Sequence, residues 1–265
     1  MTTDAPIIVE RHTGYRAITL NRPDKLNAFN EAMHQALHKA VEDAQADESC
    51  RAILLTGAGR GFCTGQDLSD RIAKPGESVV LGGAQEAYYN PLVRKLRSLP
   101  FPVVAAVNGV AAGAGANIAL ACDIVLAARS ANFIQAFARV GLVPDSGGTW
   151  FLPRLIGDAR ARGLALLAEP LPAEKAEQWG LIWKCVDDTA LKTEAKKLCE
   201  HLASAPTQGL ALIKRALNAS SGNTLDAQLD LERDFQRAAS LSPDYAEGVR
   251  AFMEKREANF SGRRK

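Results

Sequence analysis

A short apolar run followed by a glycine-rich turn recurs along this chain, and this repeat constrains the fold more than any other feature. The apolar runs are Ala52–Thr56, Pro102–Asn108 and Asp123–Ala127, and the first two lead into glycine-rich turns at Gly57–Gly65 and Gly109–Gly115. Buried strands of a parallel sheet have this continuous apolar character, and consecutive parallel strands need crossover connections. The pattern therefore predicts an α/β fold with a largely parallel sheet.

Two other patterns precede the repeat. The β-prone runs Ile7–Glu10 and Tyr15–Leu20 lie on either side of a Thr-Gly pair, which predicts a hairpin. Between Asn27 and Asp47, apolar residues recur at the spacing of one helix face, which predicts an amphipathic helix.

The C-terminal part of the chain has a different periodicity. After Asp158 the apolar spacing is helical almost to the end, with a proline break at Pro206. We therefore predict a core formed by residues 1–204 and a C-terminal helical region formed by residues 205–265.

Composition excludes several classes of protein. The chain has 265 residues, and its 32 basic and 30 acidic residues give a net charge of only +2, which argues against coating nucleic acid or an anionic membrane. No signal peptide is visible, and the longest apolar stretches are too short and too interrupted to cross a bilayer. The five cysteines are scattered without a C-x-x-C pair, as expected of reduced thiols. These features predict a cytoplasmic protein.

Several common catalytic motifs are absent from the sequence. His34 and His38 are spaced to share a helix face, but there is no H-E-x-x-H and no third ligand nearby, so we expect no metal site. No G-x-S-x-G nucleophile motif occurs. The turn Gly109–Gly115 lacks the spacing of a dinucleotide-binding loop.

The two glycine-rich turns are candidates for binding negative charge. Each leads toward a helix N-terminus, where free backbone N–H groups can hold an anion. Two such turns that converge could polarise a carbonyl group that becomes an oxyanion. Alternatively, the glycines only permit close packing or positive φ angles.

The chain resembles the crotonase (enoyl-CoA hydratase/isomerase) superfamily from Ala17 to Phe260. Five segments carry the resemblance in the same order: Leu20–Ala28, Gly59–Asp67, Pro102–Gly113, Gly141–Thr149 and Phe252–Arg256. The resemblance implies a spiral core of ββα units, a C-terminal helical trimerisation region, and trimers or hexamers. It also implies an acyl-coenzyme A substrate and no separate cofactor.

The resemblance also implies roles for individual residues. An oxyanion hole would be formed by the backbone N–H groups of Gln66 and Ala114. Hydratases of the family add water with two glutamates, and the matching places here hold Asn117 and Phe137. Neither side chain can take a proton from water, so we do not expect hydration of the family's usual kind.

One candidate for an acid–base carboxylate remains in the segments that resemble the family. Asp145 lies in the segment Val143–Thr149, where several isomerases of the family place their acid–base carboxylate. A single carboxylate can take a proton from one carbon and return it to another, which is all that a double-bond shift requires. The alternative is that Asp145 caps the helix that begins near Gly147.

Further residues are candidates for contact with the substrate. Phe252 and Lys255 would close over coenzyme A, in one arrangement from a neighbouring subunit. The basic side chains of Lys25 and Lys255 could equally be solvated, and Asp67 could brace its loop. The complete set of predicted substrate-binding residues is Lys25, Ala28, Asp67, Leu68, Asn117, Phe137, Phe252 and Lys255.

Some stretches are similar to one branch of the family. Gly59–Arg71, Tyr89–Arg94, Pro144–Trp150 and Leu225–Asp234 resemble the branch that isomerises ring-1,2-epoxyphenylacetyl-CoA to oxepin-CoA in phenylacetate catabolism. The resemblance therefore implies an isomerase that acts through an enolate. The alternatives are a Δ3,Δ2-enoyl-CoA isomerase of fatty-acid β-oxidation and a non-catalytic homologue that binds acyl-CoA or RNA.

Overall fold

The first sheet contains the hairpin and the long apolar runs. The computed structural model describes residues 5–69 and 81–262. The sheet has the order β1-β2-β3-β5-β7-β10, and all its pairs are parallel except β1 with β2. Its strands are β1 (Ile7–His12), β2 (Tyr15–Leu20), β3 (Ala52–Gly57), β5 (Val103–Val107), β7 (Ile124–Ala128) and β10 (Lys184–Val186). The predicted α/β fold with a largely parallel sheet is confirmed.

A second sheet takes two of its four strands from the segments that the sequence suggested were turns. It has the order β4-β6-β8-β9, with strands Gly61–Cys63, Val110–Ala112, Asn132–Ile134 and Leu171–Pro172. The interpretation of Gly57–Gly65 and Gly109–Gly115 as turns throughout is therefore wrong, because each contains a three-residue strand. Each of β3, β5 and β7 is followed by a strand of this second sheet, which gives the repeating units of the predicted spiral core.

The helices cover the sheets and confirm most of the predicted helical segments. Asn30 caps the first helix, because its side-chain Oδ1 accepts a hydrogen bond from Met33 N at 3.0 Å. The predicted helix at 27–47 therefore begins later, at Glu31. The helices before the C-terminal region are α1 (Glu31–Ala46), α2 (Asn90–Ser98), α3 (Ala114–Ala121), α4 (Gly148–Ile156), α5 (Asp158–Leu167), α6 (Ala173–Trp179) and α7 (Leu191–Ser204).

The core lies between the first sheet and its helices. Every residue of β5 is buried, as is every residue of α3, so both elements are covered on all sides. Helix α1 contributes a stripe of buried side chains that includes Met33, Leu37 and Val41. The helical prediction beyond residue 158 missed β9 and β10, which have only two and three residues.

Three helices form the C-terminal part of the chain: α8 (Thr207–Ser220), α9 (Leu225–Ser240) and α10 (Pro243–Glu254). The buried ammonium group of Lys214 attaches α8 to the core, with Nζ 2.7 Å from Asp123 Oδ2 and 2.7 Å from the carbonyl oxygen of Leu96. Large apolar side chains on α9 and α10 are exposed. Across residues 5–69 and 81–262, no helix combines the length and the apolar character needed to cross a bilayer.

Candidate active site

The carboxylate of Asp145 is held in place by two neighbouring polar side chains. Gln85 Nε2 donates to Asp145 Oδ2 at 2.9 Å, and the hydroxyl of Ser146 donates to Oδ1 at 2.9 Å. Asp145 is half-buried. Both carboxylate oxygens therefore have a fixed direction while part of the group remains accessible to a ligand.

The backbone after Asp145 is left-handed at two successive residues. Ser146 and Gly147 have φ angles of 51° and 84°, both in the left-handed region. The residue that precedes α4 is Gly147, which has no side chain to cap that helix. The helix-capping interpretation of the Asp145 side chain is therefore wrong. Only its backbone takes part, because Gly148 N–H donates to the Asp145 carbonyl oxygen at 2.9 Å.

The backbone N–H of Gln66 points away from the strand that it pairs with. Phe29 N–H donates to the Gly65 carbonyl, and Asp67 N–H donates to the Phe29 carbonyl. Because successive N–H groups of an extended segment point to opposite sides, the N–H of Gln66 faces away from Phe29. Its side chain is held by Phe29 and Tyr89, since Nε2 donates to the Phe29 carbonyl and Oε1 accepts from the Tyr89 hydroxyl.

The N–H of Ala114 is at the start of a buried helix. Ala114 is the first residue of α3, so its N–H has no acceptor within the helix. Two close approaches bring this end of α3 to the loop of Gln66. A Cβ on Gly65 would lie 3.2 Å from Ala114 N, and a Cβ on Gly115 would lie 2.3 Å from the Cys63 carbonyl oxygen. A side chain at Gly115 would collide with this carbonyl oxygen, and Gly65 has a φ of 85°, so glycine suits both positions where the two backbones meet.

One pocket brings the three predicted catalytic residues together. Its volume is about 320 Å³, and Gln66, Ala114 and Asp145 all line it. The rest of the lining is mainly apolar, which would exclude water from a bound acyl group. The other lining residues are Thr64, Gly65, Leu68, Leu81, Gln85, Gly113, Ala136, Phe137, Val140 and Leu142.

The two places that hold glutamates in hydratases contribute no carboxylate here. Phe137 lines the pocket with an aromatic ring. Asn117 is fully buried and takes part in a polar chain beneath the pocket. Its Nδ2 donates to the Asp145 carbonyl oxygen at 2.8 Å, and its Oδ1 accepts from Gln135 Nε2 at 2.8 Å.

Asp67 makes contacts typical of a residue that braces its loop. Its Oδ1 accepts hydrogen bonds from Ser69, and its Oδ2 is 2.9 Å from Nη2 of Arg22. The hydrogen bonds from Ser69, followed by those from Arg22, lower the pKa of Asp67 from its ordinary value to about 2. Leu68 differs from its neighbour, because its exposed side chain lines the pocket.

The remaining predicted substrate-binding residues lie away from the pocket in this single chain. Lys25 is exposed at the end of a short 3₁₀ turn, and Ala28 is buried beside the Gln66 loop. Phe252 is 82% exposed on α10, and Lys255 follows that helix in a left-handed conformation. Within the described ranges, none of these four lines the pocket. Their contact with coenzyme A stays a prediction.

Three residues near the site were not identified from the sequence. Gln85 and Tyr89 lie in a single π-helical turn, Gln85–Tyr89, that leads into α2. Nothing in the spacing of these residues distinguishes a π-helical turn from an ordinary helix. Ser146 could have been suspected only from its position next to Asp145.

The chain was compared with known protein families. Residues 10–263 match the family described as enoyl-CoA hydratase/isomerase. The chain belongs to this family. The family prediction from the sequence motifs is therefore confirmed.

Relatives in this family include an isomerase with high identity to this chain. The 1,2-epoxyphenylacetyl-CoA isomerase of Escherichia coli is 57% identical over 94% of this chain and 96% of its own length. A protein named probable enoyl-CoA hydratase from Rhodobacter capsulatus is 49% identical over 94% and 95% of the two chains. The trans-2-decenoyl-[acyl-carrier-protein] isomerase of Streptococcus mutans is 34% identical over 97% and 98%.

Solved structures of the family have the same fold as this chain. The enoyl-CoA hydratase of Bacillus anthracis superposes with a TM-score of 0.89 at 30% identity, over 97% of this chain and 99% of its own. An enoyl-CoA hydratase from Polaromonas sp. JS666 gives a TM-score of 0.88 at 33% identity, over 96% and 99%. The predicted crotonase-like spiral core is therefore confirmed.

Proposed function

We propose that the protein is an acyl-CoA isomerase that converts ring-1,2-epoxyphenylacetyl-CoA to oxepin-CoA, with Asp145 as its single acid–base carboxylate. One observation carries the proposal. Asp145, Gln66 and Ala114 line one pocket, whereas the places of the two hydratase glutamates hold Asn117 and Phe137. The name of the 57% identical relative supports the same activity.

The site has the groups needed for proton transfer next to a thioester. The carboxylate of Asp145 would take a proton from the carbon next to the thioester carbonyl, and the electron pair would move to the carbonyl oxygen. The N–H groups of Gln66 and Ala114 would donate to the resulting enolate oxygen. The protonated Asp145 would then return the proton to another carbon. In the ring epoxide, the carbon–carbon bond shared by the epoxide and the six-membered ring would also open, which brings the oxygen into a seven-membered ring, so that no atom is gained or lost. No separate cofactor takes part in these steps.

The apolar lining also suits a second substrate of the same chemistry. Leu68, Leu142 and Phe137 offer no polar group that would select a ring epoxide over an aliphatic chain. A 3-enoyl-CoA could therefore undergo a shift of its double bond by the same proton transfer. The preferred acyl group decides between a role in phenylacetate catabolism and a role in fatty-acid β-oxidation.

An activity panel tests the proposal. Wild type and Asp145→Asn are assayed with crotonyl-CoA, a 3-enoyl-CoA and enzymatically generated epoxyphenylacetyl-CoA. We expect Asp145→Asn to lower isomerisation by about 10²-fold to 10⁴-fold, the usual contribution of a general base. Asp43→Asn, on the exposed face of α1, is the matched control and should be fully active. Isomerisation at the wild-type rate by Asp145→Asn, or rapid hydration of crotonyl-CoA by wild type, would refute it.

We also propose that the protein assembles in the cytoplasm as a homotrimer or a pair of trimers, through its C-terminal helical region. Several large apolar side chains of α9 and α10 are exposed in the single chain, which supports an interface there. They include Leu225, Leu229, Val249, Phe252 and Met253. Light scattering coupled to size exclusion measures the assembled mass directly, and a monomer at micromolar concentration would contradict this assembly.

A further inference from the structure

We propose that Gln85 is a positioning residue for Asp145 and that its side-chain amide serves both protonation states of the carboxyl group. This inference rests on the proposed function, because it assumes that Asp145 exchanges a proton with the substrate. Gln85 begins the π-helical turn Gln85–Tyr89 and lines the same pocket as Asp145. Its Nε2 lies 2.9 Å from Asp145 Oδ2.

The ionised state of Asp145 is matched by two donors. Oδ2 accepts from Gln85 Nε2, and Oδ1 accepts from the Ser146 hydroxyl. A carboxylate can only accept hydrogen bonds, so both partners stabilise the form that removes a proton. They also fix the plane of the carboxylate, which sets the direction of the proton transfer.

The protonated state needs an acceptor, and Gln85 can provide it. Once Asp145 has taken a proton, one of its oxygens becomes a donor, and Nε2 of Gln85 cannot accept from it. Gln85 Oε1 is buried and has no hydrogen-bond partner among residues 5–69 and 81–262. Rotation of the amide by about 180° exchanges the two atoms, because they occupy equivalent positions on the planar group. Oε1 would then accept the Asp145 O–H.

A neutral amide suits this role better than a charged side chain. A lysine or arginine at this position would favour the ionised carboxylate and oppose its protonation. A glutamate would do the opposite, because two adjacent carboxylates cannot both ionise easily. The amide of Gln85 can accept or donate without adding charge, so it favours neither state strongly.

The same π-helical turn also holds the other half of the site. Tyr89, at the end of the turn, donates from its hydroxyl to Gln66 Oε1 at 3.1 Å. The Gln66 backbone N–H is one of the two proposed oxyanion donors. The turn therefore connects the carboxylate to the oxyanion hole through Gln85 and Tyr89, and π-helical turns are frequent at functional sites.

The first test is a variant that removes both hydrogen-bonding atoms and keeps the length of the side chain. We expect Gln85→Met to lower kcat for isomerisation by about 10-fold to 100-fold, the effect of losing a hydrogen bond to a charged group. KM should change by less than about 3-fold, because the substrate is not the partner of Gln85 in this proposal. Gln178→Met, at an exposed position on α6, is the matched control and should leave both parameters unchanged.

The second test uses the pH profile, which a purely structural role would not move. In Gln85→Glu, the added negative charge favours the protonated form of Asp145. The acid limb of the kcat profile should then move to higher pH by about 1 unit. Circular dichroism and the melting temperature, measured on the same samples, show whether each variant is folded.

The outcomes separate this inference from the proposed function. Loss of activity in Asp145→Asn, with wild-type kcat in Gln85→Met and an unmoved profile in Gln85→Glu, overturns the role of Gln85 alone. Wild-type activity in Asp145→Asn overturns the proposed function and the role of Gln85 with it. An increase in KM without a change in kcat for Gln85→Met would show that Gln85 binds substrate, which also contradicts the positioning role.

Discussion

Nδ2 of Asn117 donates a hydrogen bond to the backbone carbonyl oxygen of Asp145 across 2.8 Å. The place where hydratases of the family carry a glutamate therefore holds the loop of the proposed acid–base residue instead. Gln135 extends this series of hydrogen bonds, since its Nε2 donates to Asn117 Oδ1. Asn117 is fully buried, so these hydrogen bonds form in a site of low dielectric, where losing a partner is costly.

Restoring the hydratase residue at this position should not restore hydration. In Asn117→Glu, the longer side chain must fit beneath Gly148, where a Cβ would already lie 2.4 Å from Asn117 Nδ2. The variant also places a carboxylate opposite the Asp145 carbonyl, and Phe137 still occupies the place of the second glutamate. We expect isomerase activity to fall at least 10-fold and the free energy of unfolding to fall by about 2–4 kcal/mol.

Crotonyl-CoA hydration, isomerisation and denaturant unfolding check this prediction together. Asn223→Glu, at an exposed position between α8 and α9, is the control for the added charge and should behave as wild type. An increase in crotonyl-CoA hydration in Asn117→Glu would show that the site retains space and water for the hydratase reaction.

The ion pair of Asp67 with Arg22 predicts a specific dependence of stability on pH. The folded pKa of Asp67 is about 2, below its ordinary value near 4, because Ser69 and Arg22 favour the ionised form. A lowered pKa gives a stabilisation that is complete above about pH 4 and is lost as the pH falls through about 2. Allowing for solvent screening, we expect Asp67 to contribute about 1 kcal/mol at neutral pH.

Urea unfolding of Asp67→Asn between pH 2 and pH 7 measures this contribution. The variant should be less stable than wild type at neutral pH, and the difference should shrink toward zero near pH 2. The exposed Asp43→Asn serves as the control. A difference that stays constant across the whole range would mean that the loss comes from packing and not from ionisation of Asp67.

The sequence was sufficient to predict the long elements of the fold. The apolar runs at 52–56, 102–108 and 123–127 became β3, β5 and β7 because a central parallel strand is buried on both faces and therefore has a continuous apolar pattern. The strands β4 and β6 were missed because three residues cannot show a period, and the glycines in and next to them resemble turn residues. Those glycines are needed for close packing, since a Cβ on Gly109 would lie 2.1 Å from the Arg60 carbonyl oxygen.

The site was predicted less completely than the fold. The family motifs pointed to Gln66, Ala114 and Asp145, and the structure places all three around one pocket. The hydrogen-bond partners of the Asp145 side chain were not readable, because one of them, Gln85, reaches it only through the tertiary fold. Gln85 lies 60 residues from Asp145 in sequence, and no local pattern connects the two.

The buried ion pair between Lys214 and Asp123 should attach α8 to the core. Only 5% of the Lys214 side chain is exposed, and its ammonium group donates to Asp123 and to the carbonyl oxygens of Leu96 and Phe101. Lys214→Met would leave the Asp123 carboxylate without its ammonium partner, so we expect the free energy of unfolding to fall by about 3–5 kcal/mol.

A double-mutant cycle separates the pair from the packing around it. The double variant Lys214→Met with Asp123→Leu removes both charges. Its loss in the free energy of unfolding should be smaller than the sum of the losses in the two single variants. Chemical denaturation of the four proteins gives the coupling energy. Strict additivity would contradict the pairing. Lys192→Met, at an exposed position on α7, controls for the loss of a lysine.

The exposed apolar side chains of the C-terminal region give the last prediction. Leu241, Phe252 and Met253 are 86%, 82% and 75% exposed in the single chain, which is unusual for side chains of this size outside an interface. A charge at Phe252 would be buried in the proposed assembly and would oppose it. We therefore expect Phe252→Glu to shift the mass measured by light scattering from three or six chains toward one.

Lys255 lies next to this surface, and a substitution there tests binding of the substrate separately from assembly. If the partner subunit's surface brings Lys255 over coenzyme A, Lys255→Ala should keep the assembled mass and raise KM for the acyl-CoA by about 1.5-fold to 5-fold, the effect of one exposed charge pair. Val9→Glu, at an exposed position on β1, controls for the added charge in Phe252→Glu. Retention of the full assembled mass by Phe252→Glu would show that the interface lies on another surface of the protein. A buried and unpaired carboxylate would otherwise weaken the contact by a large free energy.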